Sequence, residues 1–145
     1  MDGADFYTRA GNEMTWIGSI PQNGQPHNIP AEILLKVNKM DYEESVVDFI
    51  VKSKGSIDEW PWEYKDSRMT NYCYIFNVET DKVLLAVFGG GLLLDPIKLY
   101  QGEDINSSIV SIDTPVFPVM KPPPSNVIEL QKRRRQNGSK PSENV

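Results

Sequence analysis

The chain has 145 residues, of which 39% are hydrophobic and 24% charged, and these values suit one globular domain with extensions. The net charge of −5 argues against nonspecific binding to duplex DNA, because phosphates repel an acidic surface. A single cysteine, Cys73, excludes an internal disulfide and a zinc site built from several thiolates of one chain. We expect a cytoplasmic protein, since the first residues carry no signal peptide and no apolar run is long enough to cross a bilayer.

Two strand-like segments open the chain. Residues 5–9 and residues 14–20 are rich in aromatic and apolar side chains, and the turn-forming pair Gly11-Asn12 lies between them. We predict an antiparallel hairpin. Alternation along its second strand places three residues on one face, where the glycine leaves space for a large neighbour: Trp16, Gly18 and Ile20.

Two helices are predicted next. Pro30 is suited to the first turn of a helix over residues 31–37, because its missing amide proton costs nothing there. Asp41 then has the features of an N-cap for a second helix over residues 42–54, with Glu44 at capping-box spacing. Apolar residues recur along the second helix at helical spacing, which indicates a core-facing stripe: Tyr42, Val46, Phe49 and Ile50.

A second hairpin is the strongest local prediction. Residues 71–77 and residues 82–88 are β-branched, aromatic or otherwise apolar, and a polar connection of hairpin length separates them. Neither face of this hairpin is polar, so we expect both faces to be covered, or the aromatic face to meet a partner. Gly89 to Gly91 predict a bend before a short third strand.

The predicted fold class is α+β. Residues 1–100 form a compact domain with an antiparallel sheet of about four to five strands and two helices on one face. Residues 101–145 form an extended, Pro-rich and partly disordered tail with a basic run, in which residues 108–112 could add an edge strand. The body carries 15 acidic and 9 basic residues, whereas the tail carries 5 acidic and 6 basic ones.

Side chains able to do covalent chemistry are few. His27 is the only histidine and lies in a Pro-, Gly- and Asn-rich loop, while Cys73 lies inside an apolar strand, where a thiol resists ionisation. The acidic pairs Glu43-Glu44 and Asp58-Glu59 have the character of solvated surface residues. The sequence therefore predicts no catalytic residue, no metal site and no cofactor.

Aromatic and basic segments are the candidates for partner binding. Residues 60–64 hold two tryptophans and a tyrosine, which either seal the open end of the core or form a recognition platform. In the tail, apolar anchors lie among prolines ahead of a basic run, as in an extended docking segment. The predicted contact residues are Trp60, Trp62, Tyr64, Phe117, Met120, Lys132, Arg133, Arg134 and Arg135.

Four segments carry a resemblance: residues 2–7, 16–20, 60–62 and 66–72. Together they are similar to small uncharacterised proteins often found in bacteriophage genomes, over roughly residues 2–96. The resemblance implies a context and assigns no functional residue. It implies a small accessory protein that binds a host macromolecular machine and inhibits or redirects it, and a location in the host cytoplasm.

The leading hypothesis is a non-enzymatic protein-binding module with a host or viral protein as its partner. We expect no membrane association, and nucleic acid would contact only the basic tail. The first alternative is a small enzyme or nucleotide-binding protein that uses His27, nearby carboxylates and the bend at Gly89 to Gly91. The second is a structural component of a viral assembly. The sequence leaves the oligomeric state open.

Overall fold

The computed structural model describes residues 2–63, 67–87, 92–111 and 120–121. Seven strands lie in this part of the chain: β1 (Ala4–Ala10), β2 (Glu13–Ile20), β3 (Tyr72–Asn77), β4 (Lys82–Val87), β5 (Leu92–Leu94), β6 (Ile109–Ser111) and β7 (Met120–Lys121). The same residues form four α-helices: α1 (Ala31–Leu34), α2 (Lys39–Lys52), α3 (Pro96–Tyr100) and α4 (Ile105–Ser108). Two short 3-10 turns cover Pro26–Asn28 and Ser67–Met69.

The strands form one sheet in the order β6-β5-β4-β3-β1-β2-β7, so the predicted α+β class is confirmed. The sheet is mixed, and the prediction of purely antiparallel pairing was wrong in two places. β1 runs parallel to β3, and β2 runs parallel to β7. Parallel strands need a long connection between them. For β1 and β3 it includes β2 and the helical segment that follows β2. The sheet also takes in two strands from beyond residue 100. β6 confirms the edge strand predicted within residues 108–112, whereas β7 has only two residues and was not predicted.

The predicted N-terminal hairpin is confirmed, but it contains a bulge. Phe6 pairs with Gly18 and Tyr7 pairs with Trp16, so Ile17 is an extra residue in β2. The bulge breaks the alternation on which the shared face of Trp16, Gly18 and Ile20 was predicted. Trp16 packs on one side of the sheet with Tyr7, whereas Ile20 packs on the other. The predicted close approach at Gly18 is present, because a Cβ there would lie 2.7 Å from the Cδ1 of Ile50.

Both predicted helices exist with different bounds. α1 ends at Leu34 instead of residue 37, and α2 begins at Lys39. The N-cap of α2 is Asn38, whose side-chain oxygen accepts a hydrogen bond from the backbone N–H of Asp41 at 3.2 Å. Asp41 therefore lies in the first turn of α2, where its negative charge interacts favourably with the helix dipole. The prediction that Asp41 is the N-cap was wrong.

All the predicted core positions of α2 pack on one face of the sheet, beside apolar residues of α1 and α3. Phe6 stacks on Tyr74 with ring centroids 5.3 Å apart, and Tyr42 meets Phe76 at 5.2 Å. These aromatic pairs join α2, β1 and β3 into one core. Each such pair adds about 0.5–1.5 kcal/mol to the free energy of burial.

The opposite face of the sheet holds a second apolar cluster: Tyr7, Met14, Trp16, Cys73, Ile75, Ala86 and Leu93. Trp60, from the connection between α2 and β3, packs against it. Alternate residues of β3 thus lie in two different clusters, which confirms that both faces of the second hairpin are covered. None of the helices in the described ranges combines the length and apolar character needed to span a bilayer.

Candidate functional site

The two tryptophans of the predicted aromatic platform pack on the domain. Trp60 is half-buried, and its ring meets that of Trp16 edge-on, with centroids 5.5 Å apart. Trp62 is also half-buried, and its indole N–H donates a 2.6 Å hydrogen bond to Oδ1 of Asp5. These contacts give both rings a structural role. Whether they also bind a partner stays a prediction.

Most of the other predicted contact residues lie outside the described residues: Tyr64, Phe117, Lys132, Arg133, Arg134 and Arg135. Met120 belongs to β7, where its backbone pairs with Met14 of β2. The proposed bend at Gly89 to Gly91 also falls outside the described residues, although the predicted third strand follows it as β5. The contact role of these residues stays a prediction.

A buried carboxylate organises the second face of the sheet. Asp5 is fully buried in β1 and accepts four hydrogen bonds from side chains. Ser19 donates to Oδ1 at 2.5 Å, and Trp62 donates to the same oxygen. Thr70 donates to Oδ2 at 2.8 Å, and the Ser67 hydroxyl donates to the same oxygen. The four donors come from positions 14 to 65 residues away along the chain.

The direction of the protons in this network follows from the geometry. Ser67 uses its one hydroxyl proton on Asp5, so Tyr7, whose hydroxyl lies 2.6 Å from that of Ser67, must be the donor to it. In the same way, the indole of Trp16 donates to Ser19 at 3.0 Å, and Ser19 donates onward to Asp5. Each of these hydrogen bonds therefore leads, directly or through a hydroxyl, to Asp5 as the final acceptor.

Burial raises the pKa of Asp5 above its ordinary value, while the hydrogen bonds from Ser19, Ser67, Trp62 and Thr70 act in the opposite direction. The carboxylate is enclosed and its oxygens are occupied by protein donors. It ties β1 to Trp62, Ser67 and Thr70, and this arrangement suits an anchor rather than a general base. The sequence does not predict this network, because its only local signal is an acidic residue inside an apolar strand.

Two other predictions about reactive side chains are tested by burial. Cys73 is buried, and burial, with a smaller effect of Asp5, raises the pKa of its thiol well above the usual range, which confirms a packed, protonated cysteine. Glu43 is only 2% exposed, so its predicted solvation was wrong, and Nζ of Lys39 lies 3.9 Å from its Oε2. Glu44 and the pair Asp58-Glu59 are exposed, as predicted.

An open groove of about 590 Å³ lies on the first face of the sheet, beyond the part that α2 covers. Most of its wall is apolar and comes from β4, β5, α3, α4 and the two 3-10 turns: Pro26, Met69, Leu85, Val87, Leu94, Leu99 and Ile105. Five polar residues complete it: Gln25, His27, Thr70, Asn71 and Tyr72. Met69 and Ile105 are exposed at its margin. This concave, largely apolar surface is the candidate binding site.

The electrostatic surroundings of the groove are acidic. Asp2 is close enough to Tyr72 to raise the pKa of its phenol, although burial is the larger cause. Glu103 and Asp104 are exposed and directly precede Ile105. His27 reaches the groove from an exposed turn. In the part of the chain that the structure describes, no three His, Cys, Asp or Glu side chains are grouped closely enough to hold a metal ion.

No protein-family model, curated protein or solved structure matches this chain. The sequence does not predict the groove either, because its wall is assembled from segments between residues 25 and 105. His27 is the one groove residue that the sequence had singled out, as the base of an alternative enzymatic function.

Proposed function

We propose that this protein is a non-enzymatic binding module whose groove takes an apolar segment of another protein. The observation that carries the proposal is the groove of about 590 Å³, whose wall is mostly apolar and whose margin exposes Met69 and Ile105. Large apolar side chains at the edge of a concave surface are typical of docking sites, because a partner can bury them together with the groove floor.

The states of the reactive groups support binding over covalent catalysis. Asp5 is enclosed by four hydrogen-bond donors, and Cys73 is buried with a raised pKa. His27 lies on an exposed turn beside the groove. A catalytic site needs a nucleophile, a base and an orienting group that converge. The resemblance to small bacteriophage proteins adds a host macromolecular machine as the kind of partner, to be inhibited or redirected.

Affinity capture with matched variants tests the proposal. Met69→Glu places a charge at the margin of the groove, and Met40→Glu makes the same change at the start of α2, outside the groove. The two methionines are 71% and 70% exposed, so neither change should disturb the core. We expect proteins that the wild type and Met40→Glu retain to be lost from Met69→Glu. Equal retention by all three chains would contradict the proposal.

A second candidate, a nucleotide-binding or other small-molecule function, is favoured by one observation. The groove volume lies within the range of about 300–1,000 Å³ that small-molecule sites occupy, and His27 reaches it. Thermal unfolding in the presence of nucleotides separates the candidates. A rise in the midpoint that Met69→Glu abolishes and Met40→Glu retains would favour the small ligand, and no rise with any nucleotide would favour the protein partner.

A further inference from the structure

The charges around the groove restrict what can dock there. Asp2 acts electrostatically on Tyr72 inside the groove. Glu103 and Asp104 directly precede the wall residue Ile105, and Asp104 caps α4 by accepting a hydrogen bond from the backbone N–H of Ser107. None of the twelve wall residues that the structure describes is a lysine or arginine. Two cations adjoin the wall along the chain: Arg68, directly before Met69, and Lys98 of α3, whose Nζ lies 3.3 Å from the backbone oxygen of Ser107. The three carboxylates thus outnumber these two cations.

The floor of the groove sets a second requirement. Val87 and Leu99 are half-buried and form an apolar floor backed by the buried Leu85 and Leu94. A polar or acidic segment on this floor would lose hydration without replacing it. A lysine or arginine on a partner can lay its aliphatic stem along apolar side chains while its charged end reaches carboxylates at the margin. Acidic flanks on the partner would be repelled by the same carboxylates.

We propose that the groove binds a protein segment in which apolar side chains are flanked by lysine or arginine. The inference rests on the proposed function and names the chemistry of its partner. Apolar side chains of the partner pack on the groove floor, and its basic side chains contact Asp2, Glu103 and Asp104. The basic flanks act on the rate of association and on the choice of partner, since attractions between exposed charges are individually weak.

Selection from a random peptide library tests the inference without a known partner. The full-length chain is the bait, and a parallel selection uses Met69→Glu, so that groove-dependent peptides are those enriched by the wild type alone. We expect these peptides to be enriched in both apolar and basic residues relative to the starting library. Groove-dependent peptides without basic enrichment would overturn this inference and leave the proposed function standing. No groove-dependent peptide at all would overturn both.

Charge-matched variants of the bait give the second measurement, on one synthetic peptide from the selection. Asp2→Asn combined with Glu103→Gln removes two charges at the groove margin, and Glu32→Gln combined with Glu79→Gln removes two exposed charges elsewhere. At low salt we expect the first pair to weaken binding about threefold to tenfold, and the second pair to change it less than about twofold. Equal effects of the two pairs would overturn the inference, because binding would then follow net charge alone.

Discussion

The indole N–H of Trp62 donates a 2.6 Å hydrogen bond to the buried carboxylate of Asp5, 57 positions earlier in the chain. This contact fastens the segment after α2 to the first strand and holds it over the second face of the sheet. Trp62 therefore serves the fold whether or not it also meets a partner. The stability of the protein should depend on this pair in a way that is measurable.

A double-mutant cycle of Trp62→Phe and Asp5→Asn measures the coupling. In the wild type, Trp62→Phe should lower the free energy of unfolding by about 1.5–3 kcal/mol, because a hydrogen bond to a charged acceptor is lost. In the Asp5→Asn background the cost should be smaller, since the amide oxygen is a neutral acceptor. Urea unfolding of the four chains gives the coupling energy, and strictly additive effects would contradict the contact.

The buried carboxyl of Asp5 should make its contribution to stability decrease as pH rises. Folded Asp5 has a pKa above its ordinary value of 3.8, so it binds its proton more tightly than the unfolded chain does. Its stabilising contribution is complete below pH 3.8 and is lost as pH rises through the folded pKa. The free energy of unfolding of the wild type, relative to Asp5→Asn, should therefore fall as pH rises above 3.8. An increase with pH in the stability of the wild type relative to Asp5→Asn would contradict this prediction.

Gly55 should be far less tolerant of substitution than Gly11. A Cβ at Gly55 would overlap the carbonyl oxygen of Ser19 and lie 2.7 Å from Cγ2 of Ile50, so Gly55→Ala should cost about 3 kcal/mol. Gly11 has a φ of +60° and no neighbour within 4 Å, so Gly11→Ala should cost only the local strain of about 1 kcal/mol. Thermal unfolding of both variants checks the order, and a larger loss at Gly11 would contradict the close packing at Gly55.

The thiol of Cys73 should resist labelling in the folded protein. Because it is buried and its pKa is raised well above the usual range, an aromatic disulfide reagent at pH 8 should react only as fast as the chain opens. In urea the same reagent should label one thiol per chain, since Cys73 is the only cysteine. Rapid labelling without denaturant would place this strand at the surface.

Local sequence patterns predicted the elements that are formed by residues close together in the chain. Both hairpins followed from strand-like runs separated by turn residues, and the core stripe of α2 followed from its helical spacing. The start of α2 was misplaced because Asn38 and Asp41 are both good N-caps, and only the structure shows which of them accepts the hydrogen bond. The parallel pairing of β1 with β3 depends on a long connection that leaves no local signature.

The candidate site was less predictable for the same reason. Asp5 gains its partners from residues as distant as Thr70, and the groove brings His27 together with Leu94 and Ile105. The sequence favoured Trp60 and Trp62 because they are large and close together, but that property is shared by packed and by exposed rings. Only the tertiary arrangement separates an enclosed anchor from an open surface.

Chemical-shift mapping of the isotope-labelled full-length chain, titrated with a protein that it captures, tests the central claim most directly. We predict that the largest backbone amide changes fall in the groove, at residues 69–72, 85–87 and 94–105, and that Met69→Glu abolishes them while Met40→Glu does not. Changes confined to residues 60–62, with the groove unaffected, would contradict the account and return partner binding to the aromatic segment.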